Sequence, residues 1–329
     1  MTPSFIFNFK IGAFWRIALF CALGVILALA LNRLLVGALR RSTVGEYGFR
    51  NAMANGTLAS DVVIIGSSRA MVHFDCDVIT DALGASCINL GLDGTRTTQQ
   101  VPMLALYLSH SAPPKILVVE VDVGSLETQH TALHPELAIA YAEVPTFYDE
   151  QVRLDLRFWA VRHVPLYGFA SSDLNAAWDA IIFLAGGTSS GGQQQRRRGY
   201  TPVERPFDST FAEFKREHPQ GVVTPIDALG ERAVDRLIEM GQHRGARVVL
   251  VYPPALDESH RYLINEPVII ADLKRIAAGR RASFLDYSDD DLGRDSTLFY
   301  NSQHMNVRGA TQFSHHFASR LVELERRSR

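Results

Sequence analysis

The sequence predicts an α/β fold: a doubly wound parallel sheet in three layers, carrying a helical insertion and preceded by one transmembrane helix. Three observations predict it. Short β-branched runs alternate with segments of helical period. Those runs are apolar throughout, as strands buried on both faces are. An apolar stretch of bilayer-spanning length stands near the N-terminus.

That stretch, Gly12 to Leu31, reads GAFWRIALFCALGVILALAL. Its one charge, Arg16, lies near the start beside Trp15 and can snorkel to the interface. Ala28-Leu29-Ala30 has the small-x-small form of a cleavage site, but apolar residues resume at Leu34-Leu35-Val36. An uncleaved anchor over residues 1–40 is therefore the expectation, with a cleaved signal peptide as the alternative. Lys10 and Arg16 precede the span and Arg33, Arg40 and Arg41 follow it. A positive-inside count on these residues places the large domain in the cytoplasm.

Residues 41–58 are polar with Gly and Asn and read as a juxtamembrane connector. From 59 to 329 the βα rhythm runs. Asp61–Ile65 is a buried strand ending at Gly66. Asp75–Leu83 is a helix with Gly84 as its stop. Ser86–Leu90 is a second strand, leading into the loop Gly91–Gly94. Thr98–His110 is helical, with Pro102 in its first turns. Pro113-Pro114 break the chain before the third strand, Ile116–Val121. Ile226, Leu229, Ala233, Leu237 and Met240 fall at helical spacing. Arg247–Tyr252 is a strand ended by Pro253-Pro254. Pro267–Ala278 is a helix, Ser283–Asp286 a fifth strand, and Gly309–Arg326 a closing helix.

The rhythm lapses over about 127–222. Trp159, Trp178 and several Phe and Tyr there indicate a helical insertion rather than a linker. Inside it, Gly186–Gly199 (GGTSSGGQQQRRRG) reads as a mobile loop. Its arginines, Arg196, Arg197 and Arg198, read as a solvated basic loop, with phosphate or anionic lipid as the alternative partner.

Composition narrows the function classes. Hydrophobic residues make up 47% and charged residues 21%, enough to bury a core. A net charge of -2 gives no electrostatic case for nucleic acid. The three cysteines, Cys21, Cys76 and Cys87, lack the spacing of a zinc or redox site. Cys76 and Cys87 read as buried free thiols, with a disulfide as the alternative in an oxidising compartment. No metal or cofactor is implied.

The turn Gly66-Ser67-Ser68-Arg69 follows a buried strand and opens a helix. A hydroxyl there sits at the C-terminal edge of a parallel sheet, where such folds place ligands, although Ser is also an ordinary N-cap. Gly66-Ser67-Ser68-Arg69 lacks the glycine spacing of a nucleotide site. His304 stands in a loop before the last helix, from which a base could reach a serine.

With their contexts, these segments resemble the SGNH hydrolase superfamily. Gly66-Ser67-Ser68 stands where that family has Gly-Asp-Ser, which puts Ser68 at the nucleophile position. Cys87-Ile88-Asn89-Leu90-Gly91-Leu92-Asp93-Gly94 resembles the second block, which points to Gly94 as an oxyanion-hole donor beside Ser68, with Gly91 as the alternative. Ser296–Ala310 resembles the last block, making His304 the base, with Asn306 and Gly309 flanking it. Val248–Ala255 resembles the fourth strand and its exit. The resemblance implies a flavodoxin-like sheet. It reaches furthest toward membrane-anchored polysaccharide O-acetyltransferases of the alginate type and D-alanyl transfer proteins, whose domains lie outside the cytoplasmic membrane. That overrides the charge count on topology.

Two positions depart from the pattern. The triad Asp falls at Asn301, which can orient an imidazole but cannot stabilise its cation; by analogy with serine proteases the loss is on the order of 10⁴ in rate. Asp286, Asp289, Asp290 or Asp291 are the alternative acids. The third-block Asn of the oxyanion hole has no match, and the nearest residue is Asp122. The expectation is a serine esterase or O-acyltransferase working on a cell-envelope glycan or acyl carrier beside a membrane-bound O-acyltransferase. The alternative is a catalytically weak accessory protein that binds such a partner.

Overall fold

The computed structural model describes residues 4–128, 138–171, 174–187 and 196–326. Five strands form one parallel sheet: β1 (Val62–Ile65), β2 (Cys87–Asn89), β3 (Ile116–Glu120), β4 (Arg247–Tyr252) and β5 (Ser283–Asp286). Their order is β2-β1-β3-β4-β5, the doubly wound order with its reversal between β1 and β3. All pairings are parallel, with Val62 opposite both Cys87 and Ile116, so β1 is an interior strand.

Period-2 geometry divides each strand between two cores. Val63, Ile65, Leu117, Val119, Val248 and Leu250 join the core covered by helices Thr97–His110, Ala228–His243 and Glu266–Gly279. Val62, Ile64, Ile116, Val118, Val249 and Val251 join the other, covered by Cys76–Leu83 and Val307–Arg326. Both faces are therefore buried, which explains why the strands read as unbroken apolar runs. Helix punctuation follows the sequence signals. Asp75 accepts from Asp77 N–H at 3.0 Å, and Gly84 takes the left-handed φ of 62° that ends its helix.

Four features differ from the sequence reading. The apolar helix runs from Ser4 to Leu39, past the Leu31 boundary. Its segment Ala13–Leu39 is long and apolar enough to cross a membrane. Its last turns enter the domain: Leu35, Ala38 and Leu39 are buried. The stretch read as a connector holds a helix, Gly45–Ala54, that buries Tyr47, Arg50, Asn51 and Met53. Asn51 Nδ2 donates to Leu39 O and Ser42 O, at 2.8 and 2.9 Å, and locks this helix to the end of the first.

Within the insertion, helices Pro145–Leu154, Arg157–His163, Tyr167–Ser171, Leu174–Leu184 and Thr210–Glu217 are described. Most of the basic loop, residues 188–195, lies outside the described residues. Its arginines are paired rather than free in solvent. Arg196 meets Glu46 at 2.6 Å with its side chain buried, Arg197 meets Asp75 at 3.1 Å, and Arg198 meets Asp77 at 3.0 Å. The physical reason is local: β2 is an edge strand, and Asn89 N–H donates to Arg198 O, so the loop covers that edge and brings Arg197 and Arg198 onto the acidic start of Cys76–Leu83 and Arg196 onto Glu46 in the first turn of Gly45–Ala54.

Cys76 and Cys87 are joined in a disulfide, with Cα atoms 5.2 Å apart, rather than being free thiols. Burial alone suggested thiols, but helix start and edge strand bring the two together. The bridge closes a sequence separation of 11, for which loop entropy gives about 3 kcal/mol. The paired substitution Cys76→Ser with Cys87→Ser should lower the free energy of urea unfolding by about 3 kcal/mol. Equal unfolding midpoints for the wild type with and without reductant would show that the thiols are free.

Candidate active site

The C-terminal ends of β1 and β3 part at the point where the strand order reverses, and the crevice there is where doubly wound sheets bind ligands. Ser67 and Ser68 follow β1. Ser68 is the first residue of the short helix Ser68–His73, and Ser67 caps it by accepting Arg69 N–H at 3.2 Å. The turn is tight against β3: a Cβ at Gly66 would lie 2.4 Å from Glu120 Oε2.

His304 arrives from the loop before Val307–Arg326. Its Nε2 lies 2.8 Å from Ser68 Oγ. Its Nδ1 lies 3.0 Å from Asn301 Oδ1. The same Oδ1 accepts the backbone N–H groups of Gln303 and His304, at 3.0 and 2.9 Å. Those two donors orient the amide with its oxygen toward the ring. An oxygen facing Nδ1 requires Nδ1 to carry the proton, which leaves the Nε2 lone pair for the Ser68 hydroxyl. The relay Ser68–His304–Asn301 therefore holds the tautomer that a general base needs.

The loop is braced from three sides. Met305 N–H donates to His73 Nε2 at 3.0 Å. Tyr300 stacks on the imidazole, with ring centres 5.4 Å apart and planes at 8°. Arg205 lies 4.2 Å from the centre of the Tyr300 ring. Burial pushes the His304 imidazole down to about 4; Arg69 and Arg205 act in the same direction, and Asp93 and Asp122 oppose it. His73, fully enclosed, is also held far below the ordinary histidine range by burial, and remains a neutral acceptor.

Sequence reasoning missed four residues of this neighbourhood. Glu120, buried at the end of β3, accepts Ser67 N–H at 2.8 Å and Ser67 Oγ–H at 3.0 Å. Burial raises its carboxyl, with the Asp122 charge adding to the rise. The signal for it was a carboxylate ending an otherwise apolar strand. Arg69 donates to Pro253 O and Pro254 O, at 2.6 and 3.1 Å, and ties the Ser68 helix to the exit of β4. Nothing in its local sequence marks that partner, 184 residues away. His73 and Tyr300 have no pattern signal either.

The remaining expected residues divide. Gly94 is exposed, with Asp93, at the tip of a turn whose ends, Leu92 and Thr95, are buried, and has a φ of 65°. Gly91 is not an alternative donor, because its N–H is held by Asn89 Oδ1 at 2.9 Å. Its role is close packing: a Cβ there would come 2.5 Å from Met71 N. Asp122 faces Ser67 Oγ at 3.3 Å and accepts Gly124 N–H at 2.8 Å, a loop-capping arrangement. Asn306 accepts Gly309 N–H at 3.1 Å and caps the last helix. The alternative acids are engaged elsewhere: Asp286 with Lys274, Asp290 with His316, and Asp289 and Asp291 with Arg294. Beside the imidazole a cleft of about 250 Å³ opens, walled by Phe211, Phe214 and Leu263 and reaching Asn301 and His304.

No family model matches the chain, and no curated protein matches it. Among solved structures, Est24, a carbohydrate acetylesterase from Sinorhizobium meliloti, is similar over 80% of this chain and 98% of that one. The identity is 12% and the TM-score 0.35. A likeness at that level adds nothing to the geometry above.

Histidine NMR with ¹⁵N labelling should show His304 as the Nδ1–H tautomer, with protonation centred near 4. The unfolded imidazole titrates near about 6.5. Between those values the unfolded chain binds the extra proton, so His304 makes stability fall as pH drops through this window. An Nε2–H tautomer, or a midpoint near that of free histidine, would contradict the buried geometry.

Proposed function

We propose that this chain is a membrane-anchored serine esterase or O-acyltransferase that moves an acyl group to or from a cell-envelope glycan. The observation that carries the reading is the Ser68 Oγ–His304 Nε2 contact of 2.8 Å, with the ring's other nitrogen held by Asn301. Ser68 Oγ attacks the acyl carbonyl while Nε2 takes its proton. The imidazolium then protonates the departing alkoxide, leaving Ser68 acylated. Water or a glycan hydroxyl attacks that ester, His304 takes the attacker's proton, and Ser68 departs with it. First-turn N–H groups at Ser68 and the Gly94 turn are the proposed donors to the oxyanion.

Asn301 weakens this machine less than the protease analogy suggests. There, amide substitution produces the wrong tautomer and costs about 10⁴ in rate. Here the two backbone N–H groups hold the amide oxygen, not the NH₂, against Nδ1. What is lost is the charge opposite the imidazolium. The second reading, an accessory protein with weak chemistry of its own, rests on that missing charge and on the low basicity of His304.

The envelope setting is supported by the Cys76–Cys87 disulfide, which belongs to an oxidising compartment. It is also supported by the long apolar helix at the N-terminus. A membrane-bound O-acyltransferase is the proposed acyl source. A reporter fused after Arg329 should be active only outside the cytoplasm, and activity confined to the cytoplasm would remove the glycan as acceptor.

Fluorophosphonate should label the wild type at Ser68, and Ser68→Ala should lose labelling and acyl-ester turnover while staying folded. Absence of label and turnover in the wild type, with the membrane partner present, would favour the accessory role. Asn301→Asp keeps every acceptor contact and adds the charge. It should raise kcat/KM about tenfold, equivalent to about 1.4 kcal/mol of transition-state stabilisation. The acid limb of its pH–rate profile should move up from that of the wild type, because a carboxylate favours the imidazolium. Reduced activity in Asn301→Asp would rule out the missing charge as the limiting feature.

A further inference from the structure

The helix Leu174–Leu184, sequence LNAAWDAIIFL, has an inverted surface. Ala176 and Ala180, one turn apart, are fully buried. They belong to the core that also contains Leu35, Ala38 and Leu39 of the first helix, and the two helices pack together. Small residues at this spacing let helix backbones approach closely. The opposite face carries Leu174, Trp178 and Ile181 at i, i+4 and i+7, exposed by 73, 63 and 44%, with Leu184 beyond them. A surface helix of a water-soluble domain places polar residues there. The helix has one charge, Asp179, half-buried between the two faces.

An apolar helix of this length, roughly 16 Å, is too short to span a bilayer. It fits a buried core helix or an interfacial segment. Burial is excluded by the exposed face. The position along the first helix decides what covers that face. Leu166 N–H, just before the short helix Tyr167–Ser171 that contacts this one, donates to Asn32 Oδ1 at 3.0 Å. Asn32 lies roughly 28 Å along the helix from Ala13, close to the thickness of a hydrocarbon core. The exposed Leu, Trp and Ile therefore stand where acyl chains meet headgroups, and Trp is enriched at that depth.

We propose that Leu174–Leu184 is an interfacial membrane helix, embedded by its Leu174/Trp178/Ile181 face in the lipid bilayer beside the anchor. The inference rests on the reading of the first helix as a membrane anchor. The occupant is lipid, because the patch continues from the exposed apolar surface of the anchor itself, Leu29, Leu31 and Leu34 included. The helix thus makes a second membrane contact, and the insertion docks the domain onto the bilayer.

The three native tryptophans test this in the full-length chain. Trp15, Trp159 and Trp178 are exposed, so replacement by Phe leaves the core intact. A Trp178-only protein (Trp15→Phe, Trp159→Phe) and a Trp15-only protein (Trp159→Phe, Trp178→Phe) are placed in phosphatidylcholine nanodiscs, plain or brominated at shallow acyl positions. Trp178 should lose roughly half its emission in brominated lipid, the response expected of a side chain seated at the headgroup–acyl boundary. It should also be shielded from aqueous acrylamide. Quenching of Trp178 by acrylamide alone, with Trp15 quenched by bromolipid, overturns the proposal and leaves the anchor reading standing. Failure of both tryptophans to respond to bromolipid overturns the anchor reading as well. Trp178 shielded from both quenchers means that protein covers the face, a second copy or a partner, and overturns lipid as the occupant.

Discussion

One amide oxygen organises the contact between Ser68 and His304. Asn301 Oδ1 receives three N–H groups, two from the backbone of its own turn and one from the imidazole. The backbone pair shapes the turn and fixes which end of the amide meets the ring. Ring tautomer, the direction of the Nε2 lone pair and the contact with Ser68 follow from that. Each brace elsewhere, His73 on Met305 N–H and Tyr300 on the ring face, acts on a loop whose geometry Asn301 has already set. An amide here separates two properties that a carboxylate would combine: orientation, which Asn301 supplies, and countercharge, which it does not.

Much of the architecture was legible in the sequence, because strands buried on both faces announce themselves as apolar runs. Arg247–Tyr252 and Ser283–Asp286 match to the residue. Ser68, His304 and Asn301 were legible because each stands in a short motif at a strand or helix boundary. Arg69, Glu120 and His73 were not, because their significance lies in partners across the sheet edge: Pro253 and Pro254, Ser67, and Met305. Composition misread the segments whose polar residues are spent on tertiary contacts. Asn51 in the supposed connector bonds the end of the first helix. Arg196 to Arg198 in the supposed basic loop are neutralised one by one.

Those arginines also explain how an exposed sheet edge is managed. β2 is a three-residue strand at the rim of the sheet. Its outer side is closed by the Asn89 N–H to Arg198 O bond, and a Cβ at Gly199 would lie against Asn89 O. The φ of 86° at Gly199 gives the turn that lets the chain come this close. The disulfide then fastens the same strand to the helix that Arg197 and Arg198 reach. Edge, loop and helix form one unit beside the Ser68 turn, since Arg196 also donates to Gly91 O.

The first helix passes into the domain without a joint. It is a single 36-residue rod whose last turns are part of the core, and Asn51 rivets the following helix to it. A domain on a slack tether samples a hemisphere above the surface. A domain that is the continuation of a rod keeps one height and one heading. If the rod stands in a bilayer, Ser68 is carried at a set altitude and moves only laterally. On the proposed function, encounter with a substrate held in the same bilayer then becomes a search in two dimensions, governed by the substrate's reach above the lipid rather than by its bulk concentration.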